Sequence, residues 1–191
     1  MPPERSFTLS DVARRLNAPQ HRLIHLCEKG VVVPDVHDAS GRGSSRVFSA
    51  RNFLELAVSL KLREMMLPVT AVGAVVHVLR TFEHGLRQEF RDFSLADSLR
   101  GEDSPDLRII ISDGETIYFS LAPPNGAPKL FGGVPLTGIQ RRGSTWDGRV
   151  DRVMGGRNTR NGSGGFGGPE HSQFVRMELS VTAVASALPL D

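Results

Sequence analysis

The chain has 191 residues, 39% of them hydrophobic, a formal net charge of +2 and a single cysteine. That length and apolar content can bury at least one core, which excludes uniform disorder, while a lone Cys27 excludes an internal disulfide framework or a multi-cysteine zinc site. No run approaches the roughly 18 apolar residues of a membrane span, and the opening MPPERSF leads into no apolar stretch, so the sequence predicts a cytoplasmic protein without a secretory signal.

Twenty of the 23 basic residues are arginine. A GC-rich genome accounts for such a bias, and so does selection for bidentate phosphate contacts. The charge is unevenly spread: residues 1–63 carry +4, residues 141–160 carry +4, and the remainder sums to −6. The global +2 therefore hides two basic blocks.

In chain order, Thr8 or Ser10 can cap a first helix over Asp11–Leu16. Leu9, Val12, Ala13 and Leu16 fall on one helical face, and Asp11 sits in the first turn, where the helix dipole favours an anion. Asn17-Ala18-Pro19 breaks this helix and opens a second, Pro19 to Lys29, which ends at Gly30. Its buried stripe is Leu23, Leu26 and Cys27. Its other side carries Gln20, His21, Arg22, His25 and Lys29. Two short helices joined by a tight turn, the second exposing polar and basic groups, match a helix-turn-helix.

Val31–Pro34 is an extended exit, and Val36–Ser45 is small, polar and glycine-containing. Arg46-Val47-Phe48 then reads as a short returning strand, so the stretch fits a β-wing tipped by Arg42 and Arg46. Ser49 caps a third helix, Ala50 to about Met66, with Phe53, Leu56, Leu60 and Met65 inward. Leu67-Pro68-Val69 stops it, and Thr70 caps the next. There Val72, Val75, Leu79, Phe82, Leu86 and Phe90 recur at near-heptad spacing, which fits either packing on the N-terminal core or the seam of a homodimer. Gly85 costs that helix about 1 kcal/mol relative to Ala.

Leu107–Ile111 and Thr116–Leu121 predict a hairpin turning at Ser112-Asp113-Gly114-Glu115. Val175, Met177, Leu179 and Val181 alternate with polar residues as a further strand, which predicts a three-stranded antiparallel sheet. Between them, Gly138–Gly168 holds ten glycines and six apolar residues in 31, and a mobile loop is expected over 138–172. The whole reads as an α+β chain. It has an N-terminal winged helix-turn-helix over 1–69, a helical connector over 70–100 and a small β-containing module over 101–191.

Phe7-Thr8-Leu9-Ser10-Asp11-Val12-Ala13-Arg14-Arg15-Leu16-Asn17, then Leu23, Gly30 and Pro34, then Gly41-Arg42 and Arg46-Val47-Phe48-Ser49, resembles the MerR-type winged helix-turn-helix. Excisionase-type domains share this layout. The resemblance covers about residues 7–80 and implies a cytoplasmic, nucleoid-associated transcription regulator that binds duplex DNA as a homodimer; no cofactor or metal is expected, since Cys27 stands alone where the metal-responsive members carry a cysteine cluster. Two features depart from the family. Where it carries Leu-Arg-Tyr-Tyr, this chain has Leu23-Ile24-His25-Leu26, and Asn17 replaces the usual turn glycine.

On this reading Gln20, His21 and Arg22 enter the major groove, Arg matching guanine and Gln adenine. Arg15, His25, Lys29, Arg42, Ser44, Ser45 and Arg46 meet phosphates or the minor groove. Arg141, Arg142, Arg149, Arg152, Arg157 and Arg160, with Trp146 or Phe166 stacking on bases, could tether nucleic acid non-specifically. Enzyme readings are weak: the glycine clusters lack a Lys-Ser/Thr pair, and the His21/His25 pair lacks an acidic third ligand. The alternatives are an excisionase-like or DNA-bending factor, and a protein-interaction module that has lost DNA contact, to which Ile24 points. A protein partner for the C-terminal module fits either.

Overall fold

A computed structural model describes residues 5–37, 46–89, 91, 93–142, 145–147 and 176–190. The fold is α+β: a helical N-terminal region leads into a small antiparallel sheet. Strand β1 (Ser6–Thr8) runs directly into α1 (Leu9–Arg15). Thr8 is the cap, in a reciprocal box: its hydroxyl accepts from the Asp11 amide while its own amide donates to the Asp11 carboxylate, both at 3.2 Å. The Thr8 hydroxyl also donates to the Asp11 carboxylate at 2.6 Å, and this bond, followed by that from the Thr8 amide, holds the Asp11 carboxyl below its ordinary range. Asn17 closes the helix in the left-handed region at φ 48°, and Ala18 and Pro19 lead into α2 (Gln20–Glu28). Gly30, at φ 63°, ends α2 as the sequence predicts.

The returning strand is β2 (Val47–Ser49), and it has a partner that periodicity did not reveal: β1, with Phe7 opposite Phe48. Ser49 caps α3 (Ala50–Glu64) through the Asn52 amide. This helix is central. It packs against both short strands, α2 and three later helices, and eight consecutive residues, Asn52 to Ser59, are buried. Helix α4 (Val69–Glu89) runs through Gly85 without interruption.

The α4 stripe is spent inside the chain. Val72, Val75, Leu79, Phe82 and Leu86 are all buried in the core, and Phe90 lies outside the described residues. Phe82 stacks on Phe119 of the sheet at 5.2 Å and meets Phe131 edge-on at 5.5 Å. The heptad-like spacing therefore records packing within one chain, and the homodimer seam placed there is withdrawn.

A short helix α5 (Leu95–Ser98) leads to β3 (Asp106–Ser112) and β4 (Thr116–Ala122). The turn between them puts Asp113 and Gly114 at φ 55° and 69°, the left-handed pair the Asp-Gly signal demands. The sheet has four strands where three are expected, in the order β5 (Lys129–Pro135), β4, β3 and β8 (Arg176–Ser180). The extra strand is β5. Its pairing with β4 shifts register at a bulge opposite Ile117 and Tyr118. Gly132 occupies the bulge at φ 107°, where a Cβ would fall 2.8 Å from the Ile117 carbonyl oxygen.

Within the expected loop of 138–172, β6 (Gln140–Arg142) and β7 (Thr145–Asp147) pair as a small ribbon, Arg141 opposite Trp146. The loop expectation thus gives way to strands over 140–142 and 145–147, preceded by a short turn ending at Gly138 and the buried Ile139; residues 143–144 and 148–172 lie outside the described residues. Strand β8 (Arg176–Ser180) is also shorter than its alternation suggests. Ser180 caps α6 (Val181–Ser186), so Val181 opens a helix instead of continuing the strand. One contiguous set of buried side chains joins Phe7 to Leu190 across all three sequence segments.

Candidate nucleic-acid interface

Amphipathicity sets the orientation of α2. Leu23 and Leu26 are buried, with 0% and 3% of their surface exposed, which turns the opposite side to solvent. Gln20, His21, Arg22, His25 and Lys29 are all exposed, as the sequence predicts. Gln20 also ties α2 to α1, its amide nitrogen donating to the Ser10 hydroxyl at 3.3 Å. Ile24 is half-buried beside this face.

His21, Arg22 and His25 line an open groove of about 490 Å³. Its floor includes Leu16, Leu26 and Leu60. Its far wall is the last turn of α3 and the residue beyond, Arg63, Glu64 and Met66. Met66 stands at φ 66° with 85% of its surface exposed. Glu64 is the one carboxylate among these lining groups, and Lys61 holds it at 2.9 Å. Arg63 donates to the Leu67 carbonyl, which closes the end of α3 and fixes the guanidinium at the groove wall. Arg22 has no ion-pair partner among the described residues.

Arg15 is placed apart from this set. It is half-buried, lies over the Phe7 ring with its guanidinium carbon 5.3 Å from the centroid, and donates to the Pro189 carbonyl. The chain's own C-terminal segment takes up the charge expected to meet a phosphate. Leu188 and Leu190 are buried on either side of Pro189, and Arg100 donates to the Leu188 carbonyl at 3.2 Å.

The hairpin expected as a wing has a described stem and an undescribed tip. His37 and Val47 exchange backbone hydrogen bonds of 3.2 and 2.8 Å, and Arg46, half-buried, immediately precedes Val47 on the returning side. Arg42, Ser44 and Ser45 lie outside the described residues. Of the second basic block, Arg141 and Arg142 belong to β6, while Arg149, Arg152, Arg157, Arg160 and Phe166 are outside.

The sequence reading missed Arg63 and Met66, which lie well beyond α2 in the chain and reach the groove only because α3 packs against α2. No cluster of three or more His, Cys, Asp or Glu side chains among the described residues could hold a metal ion. No helix among them is long and apolar enough to cross a membrane. Comparison of the chain with protein-family models, curated proteins and solved structures finds no match.

Proposed function

We propose that the chain is a sequence-specific DNA-binding transcription regulator of MerR-like, winged helix-turn-helix type. Helix α2 enters the major groove, and the 37–47 hairpin meets the backbone or minor groove. One observation carries the reading: His21, Arg22 and His25 stand together on the solvent side of a helix whose other side is buried, with Arg63 across the groove. Phosphates release counterions when Arg22 and Arg63 neutralise them, so binding should weaken steeply with salt. Gln20 and Arg22 are the side chains suited to read base edges. Arg15 drops out of the contact set, because its guanidinium is engaged with Phe7 and Pro189. Any pairing of two copies on DNA must use a surface other than the α4 stripe.

Selection of bound fragments from random-sequence duplexes, followed by affinity against salt, tests this. Enrichment of one motif with a strongly negative salt slope supports the reading, and a salt-independent shift refutes it. Ile24 favours a second reading, a protein-interaction module. On that reading no duplex is enriched, and the α2 face captures a protein that an Arg22→Ala chain does not.

A further inference from the structure

A chain of polar groups, anchored on the buried Ser49, Asn52 and Glu55, runs beneath the hairpin that follows α2. Asn52 is fully buried, and its amide is used on both sides of Pro34. The oxygen accepts from the Asp35 amide at 2.9 Å, while the nitrogen donates to the Val33 carbonyl at 3.2 Å and to Glu55 at 3.1 Å. The Asp35 carboxylate reaches across to the returning strand. It accepts from the Ser49 amide at 3.3 Å, the Ser49 hydroxyl at 2.8 Å and Arg51 at 3.0 Å. Outgoing and returning segments are therefore locked together one step below the His37–Val47 bridge.

Glu55 continues the chain inward. It is 2% exposed and holds Arg80 of α4 in a bidentate pair, at 2.5 and 2.6 Å. Arg80 lies two residues before Phe82, whose ring stacks on the sheet. Packing alone would be served as well by apolar side chains of similar volume, without the cost of desolvating two charges. Hydrogen bonds add direction, since each fixes one donor against one acceptor. Here they fix Val33, Asp35 and Ser49, the three residues that set where the hairpin leaves the body.

Resting on the duplex-binding reading above, we propose that Asp35 and Asn52, backed by the Glu55–Arg80 pair, are positioning residues that hold the hairpin stem and so aim Arg46 at the backbone of a duplex. None of the four needs to touch DNA. Their effect passes through Arg46.

The test uses the full chain, a fluorescent mixed-sequence duplex of about 25 base pairs, and affinity measured against salt. Replacing both charges together (Glu55→Gln with Arg80→Met) avoids stranding one of them in the core. Asp35→Asn is the milder second variant. The expected result is a salt slope shallower by about 1, the loss of one phosphate contact, in each variant. Neither change should add to the loss in an Arg46→Ala chain. Hydrogen exchange should show the His37 and Val47 amides losing at least tenfold protection while those of β3 and β4 keep theirs. A folded variant with unchanged slope, or one whose loss adds to that of Arg46→Ala, overturns the inference alone. A wild-type chain that binds no duplex overturns the functional reading and the inference together.

Discussion

Arg22 on α2 and Arg108 on β3 are both exposed arginines among polar neighbours, and they stand in opposite electrical settings. Arg108 is saturated: it donates to Asp106 at 2.5 Å and to Glu178 at 2.7 Å, and Glu178 also takes Arg176 at 2.9 Å. Its hydrogen bonds to Glu178 and Asp106 raise its pKa further, and the same Arg108 contact pulls that of Glu178 down. Arg22 has no such partner among the described residues, and its neighbours on the face are His21 and His25. A phosphate approaching the sheet would have to displace a carboxylate and then sit beside it. A phosphate approaching α2 displaces only counterions. Arginine content alone therefore does not mark a nucleic-acid surface. The placement of the acids does.

The largest expected effect tests whether these two surfaces belong to one cooperative body. Phe82 and Phe119 are each 0% exposed and stacked, so Phe82→Ala should lower stability by about 3–5 kcal/mol. Chemical denaturation followed by far-UV circular dichroism should show one transition moved to lower denaturant. Two separated transitions would mean that helices and sheet hold independent cores. Next in size, Arg22→Ala should weaken binding to a selected duplex by roughly 1–3 kcal/mol and relax its sequence preference. Equal losses on selected and random duplexes would reassign Arg22 to a phosphate.

Legibility in the sequence followed the range of the cause. Caps and turns are local, and Thr8, Asn17, Gly30, Ser49 and Asp113-Gly114 all stand where residue chemistry places them. The exposed side of α2 was legible too, because Leu23 and Leu26 suffice to orient a nine-residue helix. Pairing that depends on distant partners was not. β1 is three residues long and exists because β2 returns to it, and β5 carries two glycines and ends on a proline, so neither alternates clearly. Helix α3 misled for a different reason. Asn52, Glu55 and Ser59 break its apolar stripe, yet all three are buried: Ser59 bonds back to the Glu55 carbonyl within the helix, while Asn52 reaches Val33 and Asp35 and Glu55 reaches Arg80, partners that sequence spacing does not disclose. Asn52 and Glu55 also belong to the chain beneath the hairpin, the part of the candidate site least visible in the sequence.

A third, pH-dependent effect separates the buried Glu83 of α4 from the exposed acids of the sheet. Glu83 is 2% exposed, accepts from the Leu95 amide at 3.1 Å and from Arg87 at 3.2 Å, and has its pKa pushed up, with burial the largest cause. A raised pKa in the folded state means stability that is full below the unfolded value and falls as pH rises through the folded one. Glu83→Gln keeps an oxygen for the Leu95 amide and carries no charge to desolvate. Its stability relative to wild type should therefore improve as pH is raised from the low fours into the neutral range, measured by urea denaturation at each pH. A gap that is constant with pH would mean that Arg87 fully compensates the buried carboxylate.

The smallest effect is expected on the sheet and has the opposite sign. The Glu178 pKa is lowered, chiefly by its hydrogen bond from Arg108, so its contribution is present above the unfolded pKa and is lost as pH falls through the folded one. Exposed ion pairs contribute little and are screened by salt. Glu178→Gln should thus show a slight loss of stability at neutral pH that shrinks in high salt and vanishes in acid. The same substitution frees Arg108 and Arg176 from their shared carboxylate and makes the sheet surface more cationic. If the α2 face alone meets the duplex, the salt slope of DNA binding should stay at the wild-type value despite the added positive charge. A steeper slope would show that the sheet, once relieved of its acid, also meets phosphates, and that the saturation of Arg108 is what keeps the two surfaces different.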